Sequence, residues 1–156
     1  MLIYLVRHAK AQPRIAGADH PQRCLTAKGL EQAQQLATWL SQQTAKPNEL
    51  YSSPFRRCVD TAAPIATALD LPLHTVAWLS HGHDLQQCLL NLEQLTADKV
   101  QIWVGHEPEL SNMLGTLFNR DPHEFSFSKA GIAALTRDQA GWRLLWQYRF
   151  KQLLAS

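Results

Sequence analysis

Short strand-like segments alternate with longer helix-like segments along most of the chain. The strand-like segments, rich in apolar and β-branched residues, cover 2–6, 49–52, 73–77 and 100–104. The segments with apolar residues three or four positions apart, typical of amphipathic helices, cover 27–46, 54–70, 84–95 and 108–117. This alternation predicts a mostly parallel sheet covered by helices.

The last part of the chain departs from this alternation. Two strand-like segments, 131–136 and 142–148, flank a turn sequence at 138–141, which predicts a hairpin. No repeat or linker divides the chain, so residues 1–156 are expected to form one domain. Its predicted fold class is α/β: a three-layer sandwich with helices on both faces of the sheet and a C-terminal hairpin. Thr26 is a predicted N-cap, and Pro64 is expected to kink or split its helix.

Composition narrows the class of protein. With 46% hydrophobic and 18% charged residues, the chain is neither disordered nor fibrous. A formal net charge of +2 is too small to predict nucleic acid as a partner. No apolar run approaches the ~20 residues of a membrane span, so no membrane partner is expected. Three cysteines without a C-x-x-C pair, and no signal-peptide pattern, predict a cytoplasmic protein.

Cationic and imidazole side chains follow three of the predicted strands. Arg7 and His8 follow the first, Arg56 and Arg57 come shortly after the second, and His106 follows the fourth. Each feature alone has an ordinary explanation, as a chance pair, a solvated surface or a buried, hydrogen-bonded imidazole. Ligands of parallel sheets bind beyond the carboxyl ends of the strands, where helix N-termini and arginines favour multiply charged oxygens. Together these residues predict a phosphate site.

Four motifs in order along the chain resemble those of the histidine phosphatase (phosphoglycerate mutase-like) superfamily. They span residues 2 to about 118 and are Arg7-His8-Ala9, Leu25-Thr26-Ala27-Lys28-Gly29, the segment 53–62 that begins Ser-Pro-Phe-Arg-Arg, and Gly105-His106-Glu107-Pro108. Within the superfamily the chain is most similar to the small SixA-type phosphohistidine phosphatases. It departs from the usual pattern at Ala9, Cys58, Asp60 and His81, where Gly, Ala, Gln or Glu, and Pro are common.

The resemblance implies a catalytic role for four residues. His8 would be the nucleophile that forms a covalent phosphohistidine, and Arg7 and Arg57 would clamp the phosphoryl oxygens. The arginine four residues after Ser53 is the one that matches the motif, which selects Arg57 over Arg56. His106 would be an opposing cation or hydrogen-bond donor. The fold implied is the phosphoglycerate mutase-like one, and no metal or other cofactor is implied, because these groups supply the positive charge.

Four further residues are weaker candidates for substrate binding: Arg23, Ser53, Asp84 and Glu107. Arg23 is placed at the pocket rim or, equally, on a solvated loop. Asp84 and Glu107 are candidates for a general acid, although each could instead cap a helix. A metal site made from His81, His83 and Asp84, with His20 or His74, is a minor alternative, because its spacing matches no common ligand pattern.

The expected substrate is a phosphorylated protein. Without a clear acid, an imidazole leaving group is favoured over an alkoxide, since a phosphohistidine ring can be protonated before it leaves. Only about a dozen residues lie between Leu69 and His81, too few for a large lid over a small ligand. Protein-bound phosphohistidine is therefore the predicted substrate. The alternatives are a small phosphate ester, which would make the protein a small-molecule phosphomonoesterase, and a non-catalytic phosphate-binding module on the same scaffold.

Overall fold

The computed structural model describes residues 1–155, and its strands and helices alternate as predicted. The strands are β1 (Leu2–Arg7), β2 (Glu49–Ser52), β3 (Leu73–Thr75), β4 (Val100–Gly105), β5 (Ile132–Asp138) and β6 (Gly141–Tyr148). The α-helices are α1 (Ala27–Ser41), α2 (Arg56–Leu69), α3 (Gln86–Glu93), α4 (Glu109–Phe118) and α5 (Phe150–Leu154). Two short 3-10 turns, at Ala77–Leu79 and Pro122–Phe125, complete the described elements.

All six strands form one sheet in the order β3-β2-β4-β1-β5-β6. The first four are mutually parallel, while β5 runs antiparallel to β1 and forms the C-terminal hairpin with β6. Side chains alternate across the sheet, so each face has its own core. Helices α1, α2 and α5 pack on one face around Tyr4 and Val6, and helices α3 and α4 pack on the other around Ile3 and Leu5. The predicted three-layer α/β sandwich is confirmed.

Several predicted details are confirmed and others are corrected. Thr26 caps α1, because its hydroxyl accepts a hydrogen bond from the Gly29 N–H at 3.0 Å. Helix α2 continues through Pro64, so the expected split does not occur. The third strand ends at Thr75, two residues earlier than expected. Helix α5 was not predicted from the sequence. None of the helices within residues 1–155 is long and apolar enough to cross a membrane.

The register of the central strands positions the residues that follow them. Arg7 lies opposite Gly105 in the parallel pairing of β1 with β4, and Ser52 lies opposite Val104 in the pairing of β2 with β4. The pairing extends one residue further, since the His8 N–H donates to the Gly105 carbonyl at 3.1 Å and the Ser53 N–H to the Val104 carbonyl at 3.0 Å. The three strands therefore end side by side.

Gly29 explains why the Leu-Thr-x-x-Gly motif needs a residue without a side chain. A Cβ at this position of α1 would collide with the backbone carbonyl of Lys10, the second residue after His8. The same carbonyl accepts the Thr26 N–H at 3.0 Å. The first turn of α1 is thus packed directly on the loop that follows β1.

We expect Gly29→Ala to lower the free energy of unfolding by about 1–3 kcal/mol, because a rigid backbone carbonyl must move to admit the methyl group. Urea denaturation measures the change. Lys28→Ala, at an exposed neighbour in the same turn, is the matched control and should shift stability by less than about 0.5 kcal/mol. Equal stability of the Gly29 variant and the wild type would contradict the close approach.

Candidate active site

Two buried imidazoles face each other at the carboxyl ends of β1 and β4. The ring centroids of His8 and His106 are 5.5 Å apart and the ring planes are inclined by 61°. Their relative exposures are 6% and 1%. The strand register brings the two rings together, although 98 positions separate them in the sequence. The structure therefore places His8 and His106 in one site.

His8 is held as one tautomer with a free ring nitrogen. Its Nδ1 lies 2.7 Å from the Ala9 carbonyl oxygen, which can only accept, so Nδ1 carries the proton and Nε2 is left unprotonated. Burial, aided by the charges of Arg57, Arg7 and Arg23 and opposed by the hydrogen bond to the Ala9 carbonyl, lowers the pKa of His8 to about 3. The imidazole is therefore neutral at pH 7, with the Nε2 lone pair available.

The loop that carries His8 is anchored to α2. The Ala9 N–H donates to the Thr61 hydroxyl at 3.0 Å, and that hydroxyl donates to the Arg57 carbonyl at 2.7 Å. The His8 carbonyl accepts the Ala130 N–H at 3.1 Å. Ala9, which replaces the glycine of the family motif, is fully buried and has a negative φ. The position needs no glycine-specific backbone conformation, so the substitution leaves the His8 loop intact.

His106 is hydrogen bonded within the site and is also neutral. Its Nε2 lies 2.8 Å from the Ser53 hydroxyl and 3.4 Å from the Cys58 sulfur. Burial, aided by His8, Arg57 and His81 and opposed by the charge of Asp19, lowers the pKa of His106 to about 2. Of the two expected roles, the substrate-free site favours the hydrogen-bond donor over the cation. A phosphoryl dianion between the two rings would favour the protonated form again.

Arg57 is a buried cation, and some of its N–H donors have no hydrogen-bond partner among the described residues. Only 2% of its surface is exposed, and its Nη2 donates to the Asp19 carboxylate at 2.8 Å. Its Nε and Nη1 are buried without a hydrogen-bond partner among residues 1–155, as is the Nε of Arg7. Buried donors without a partner are costly in folded proteins, and a site for an anion is a physical reason to retain them. These groups are suited to receive phosphoryl oxygens.

The other two arginines that follow predicted strands, Arg7 and Arg56, make different contacts. Arg7 donates from Nη1 to the Phe127 carbonyl at 2.8 Å, which fixes its guanidinium beside the pocket. Arg56 is more than half exposed and pairs with Asp60, away from the imidazoles. The structure therefore places Arg57, and not Arg56, next to His8, in agreement with the motif spacing.

Asp19 was missed by the sequence analysis and connects two of the candidate cations. Its carboxylate bonds Arg57 at 2.8 Å through one oxygen and the Nε and Nη2 of Arg23, at 3.2 and 3.1 Å, through the other. Partial burial raises the pKa of Asp19, but hydrogen bonds and charges from Arg57 and Arg23 outweigh it and lower the pKa to about 2. The only local signal was its i,i+4 spacing to Arg23.

Two of the four weaker candidates lie at the site. Ser53 contacts His106 and also accepts the Phe55 N–H at 3.1 Å, so it joins the end of β2 to the imidazole. Arg23 is held at the rim by Asp19 and by the carbonyl of Gln12. Its charge reaches His8, as the lowered pKa of that imidazole shows.

The other two, Asp84 and Glu107, bind backbone N–H groups. Asp84 is exposed and accepts the Gln86 N–H at 3.0 Å at the start of α3. Glu107 accepts the Ser111 N–H at 2.8 Å in the first turn of α4 and the Phe127 N–H at 3.2 Å. Both carboxylates therefore accept hydrogen bonds from N–H groups at the starts of helices, as the alternative of helix capping predicted.

A histidine–carboxylate contact, also missed by the sequence analysis, lies next to His106. The Nδ1 of His81 is 2.8 Å from a Glu109 oxygen, and the ring centroid of His81 is 5.3 Å from that of His106. The other Glu109 oxygen accepts the Gly82 N–H at 3.3 Å. His81 thus belongs to the site's edge, and within residues 1–155 no three His, Cys, Asp or Glu side chains are grouped to hold a metal ion.

The two buried neutral imidazoles predict a loss of stability in mild acid. The unfolded chain takes up protons at His8 and His106 below the ordinary pKa of 6.5, whereas the native site takes them up only near pH 3 and 2. The free energy of unfolding should therefore fall as the pH drops from 7 to 4, by at most about 1.4 kcal/mol per pH unit for each imidazole.

Urea denaturation between pH 7.5 and 4.5 tests this expectation against His106→Asn. The variant keeps the other six histidines and should show a clearly shallower pH dependence than the wild type. Identical slopes for the two proteins would mean that His106 is not held neutral in the native state.

Comparisons with known proteins find relatives that align with part or nearly all of the chain. The curated phosphohistidine phosphatase SixA of Escherichia coli is 25% identical over 145 residues, which cover 90% of this chain and 88% of that protein. A 55 kDa subunit of transcription factor tau from Saccharomyces cerevisiae is 30% identical over 80 residues, but the chain spans only 18% of that protein's length.

Solved structures share the whole fold. The protein histidine phosphatase SixA complexed with tungstate superimposes with a TM-score of 0.86 at 24% identity, covering 98% of this chain and 99% of the other. The α-ribazole phosphatase of Shigella flexneri superimposes with a TM-score of 0.78 at 20% identity, covering 96% and 97%. The family model described as Histidine phosphatase superfamily (branch 1) matches residues 3–81, just over half of the chain, and the protein therefore belongs to the histidine phosphatase superfamily.

Proposed function

We propose that this protein is a phosphatase that transfers a phosphoryl group to the Nε2 of His8 and then hydrolyses the resulting phosphohistidine. The observation that carries the proposal is the neutral, tautomerically fixed imidazole of His8 beside the partnerless buried donors of Arg57 and Arg7. A nucleophile and a set of oxyanion donors are the two components that phosphoryl transfer requires.

In the first step, the Nε2 lone pair attacks phosphorus in line with the leaving group. The new P–N bond forms as the bond to the leaving group breaks, and the leaving group takes that electron pair. A phosphohistidine ring that is already protonated on its other nitrogen departs as neutral imidazole. The Nδ1 proton stays on the ring and is donated to the Ala9 carbonyl oxygen, which stabilises the positive charge that develops on the ring. Arg7 and Arg57 would bind the equatorial oxygens, which carry most of the negative charge in the transition state.

In the second step, water attacks phosphorus from the side opposite to His8. The P–N bond breaks, its electron pair returns to Nε2, and inorganic phosphate leaves. His106, facing His8 across 5.5 Å, would donate a hydrogen bond to a phosphoryl oxygen in both steps. The guanidiniums supply the positive charge that a metal ion provides in other phosphatases, so the proposed reaction is metal-independent.

Protein-bound phosphohistidine is the substrate we propose. The E. coli relative that aligns with nearly the full chain carries the name phosphohistidine phosphatase, and tungstate, a phosphate analogue by shape and charge, is bound in the SixA structure of the same fold. Beside Arg23, an open groove along the Asp19 loop is lined by Arg14, Ile15 and His20. Ile15 is 84% exposed, and an apolar side chain among cations suits contact with a phosphoprotein.

A small-molecule phosphomonoesterase is the second candidate. The α-ribazole phosphatase of S. flexneri shares the fold, and the His81–Glu109 pair could serve an alcohol leaving group. A non-catalytic phosphate-binding module is disfavoured, because the free Nε2 of a neutral histidine is what a nucleophile needs and what a simple anion site does not.

Trapping the intermediate tests the catalytic proposal. Acid-labile, base-stable phosphate should appear on the wild type after rapid mixing with a phosphorylated substrate, and peptide mapping should locate it on His8. His8→Asn, which keeps a hydrogen-bonding side chain in the pocket, should form no phosphoenzyme and lose at least ~10³-fold in kcat/KM. Chelator treatment should change neither result. Phosphate release by a His8→Asn enzyme at the wild-type rate would refute the mechanism.

A substrate panel tests the proposed substrate. We expect kcat/KM for a histidine-phosphorylated protein to exceed that for 3-phosphoglycerate and phosphoserine at least tenfold, since the open site is suited to a protein partner. Release of inorganic phosphate under identical conditions is the measurement, with His8→Asn as the blank. The reverse order of rates would assign the protein to the phosphomonoesterases instead.

A further inference from the structure

His81 and Glu109 form a pair that the mechanism above does not use. His81 lies in the loop between the 3-10 turn at Ala77–Leu79 and α3, and Glu109 is the first residue of α4. Their side chains are 27% and 20% exposed, so the pair lies at the boundary between the buried site and solvent. The ring centroid of His81 is 5.3 Å from that of His106, which makes this a titratable pair at the edge of the phosphoryl pocket.

The geometry orients His81 as a proton carrier. Its Nδ1 donates to Glu109 at 2.8 Å, which leaves Nε2 without a hydrogen-bond partner among the described residues. Both oxygens of Glu109 hold this loop, one on His81 and the other on the Gly82 N–H. The carboxylate fixes the orientation and tautomer of the ring, so Nε2 is the nitrogen that His81 presents for proton transfer.

The aromatic ring of Phe55 separates this proton carrier from the arginine clamp. Its ring centroid is 6.5 Å from that of His81 and 5.0 Å from that of His106, while the Arg57 guanidinium lies over its face at 5.1 Å. The Phe55 ring therefore contacts both the imidazoles of His81 and His106 and the guanidinium of Arg57. The two carboxylates that sequence analysis offered as acids, Asp84 and Glu107, are occupied by backbone N–H groups.

We infer that His81 is the general acid and base of this site and that Glu109 is its positioning residue, which enables the enzyme to cleave phosphate monoesters of alcohols as well as phosphohistidine. This inference rests on the proposed function of His8. The substrate class it adds is that of P–O esters whose leaving alcohol is strongly basic and must be protonated as it departs.

In the proposed reaction His81 donates one proton in the first step and takes one up in the second, so that the protons balance. When His8 attacks the ester, the P–O bond breaks and its electron pair goes to the leaving oxygen, which takes the Nε2 proton of the His81 imidazolium and departs as the alcohol. His81 is then neutral at Nε2. When water attacks the phosphohistidine, His81 Nε2 accepts one water proton as the P–N bond breaks towards His8. Phosphate departs and the imidazolium is restored.

The test compares leaving groups. We expect His81→Gln to lower kcat/KM for an alkyl ester, glycerol phosphate, by about 10²-fold, while kcat/KM for p-nitrophenyl phosphate falls less than about threefold. Nitrophenolate leaves readily without a proton, so only the alkyl ester needs the acid. Glu109→Gln, which removes the charge and keeps the shape, should show the same selectivity with a smaller loss of about tenfold.

His83→Gln is the matched control. It replaces an exposed imidazole of the same loop whose one hydrogen bond within residues 1–155 is to the adjacent Asp84 carbonyl, and both substrates should keep wild-type rates. Melting temperatures of all variants show whether they are folded.

The outcomes separate the two proposals. An equal loss on both substrates, or no loss on either, in a folded His81→Gln variant that still forms the His8 phosphoenzyme would overturn the role of His81 alone. A wild type that forms no phosphoenzyme on His8 would overturn the proposed function and this inference together.

Discussion

The site depends on a constraint of charge. Two guanidiniums are held beside His8 and His106 where water is largely excluded, and like charges buried together repel strongly. The arrangement is tolerable because both imidazoles are neutral, and because Asp19 gives Arg57 one counter-charge. The donors that remain free then define what the pocket can bind. An anion with several oxygens satisfies them, whereas a neutral or cationic ligand leaves them exposed to the same penalty.

Strand register determines which side chains meet at this site. Three parallel strands end level with one another, and each is directly followed by a residue of the site: His8, Ser53 and His106. The N-terminal turn of α1 then fixes the loop after His8, since Gly29 allows the Lys10 carbonyl to approach. Neither the loop nor the imidazole depends on a distant lid for its position.

The sheet and the residues at its strand ends could be predicted from the sequence. The contacts between loops could not. Strand-like segments such as 2–6 and 100–104 are recognisable locally, and parallel topology then places His8 and His106 at one edge. The Asp19–Arg57 and His81–Glu109 contacts join positions 38 and 28 residues apart, and no periodicity encodes them. Helix α5 was missed because its five residues are too few for a period to show, although Arg149 and Gln152 form its capping box.

The thiol of Cys58 lies 3.4 Å from the Nε2 of His106, yet its surroundings do not favour the thiolate that a sulfur nucleophile needs. Burial raises the pKa of that thiol to about 12, so the sulfur stays protonated although an imidazole and an arginine lie beside it. Thiolates, and not thiols, are the species that react readily with peroxides and alkylating reagents. The proposed phosphoryl site, built on imidazole and with the Cys58 sulfur kept protonated, can therefore remain competent under oxidative conditions that would inactivate a thiolate-dependent enzyme.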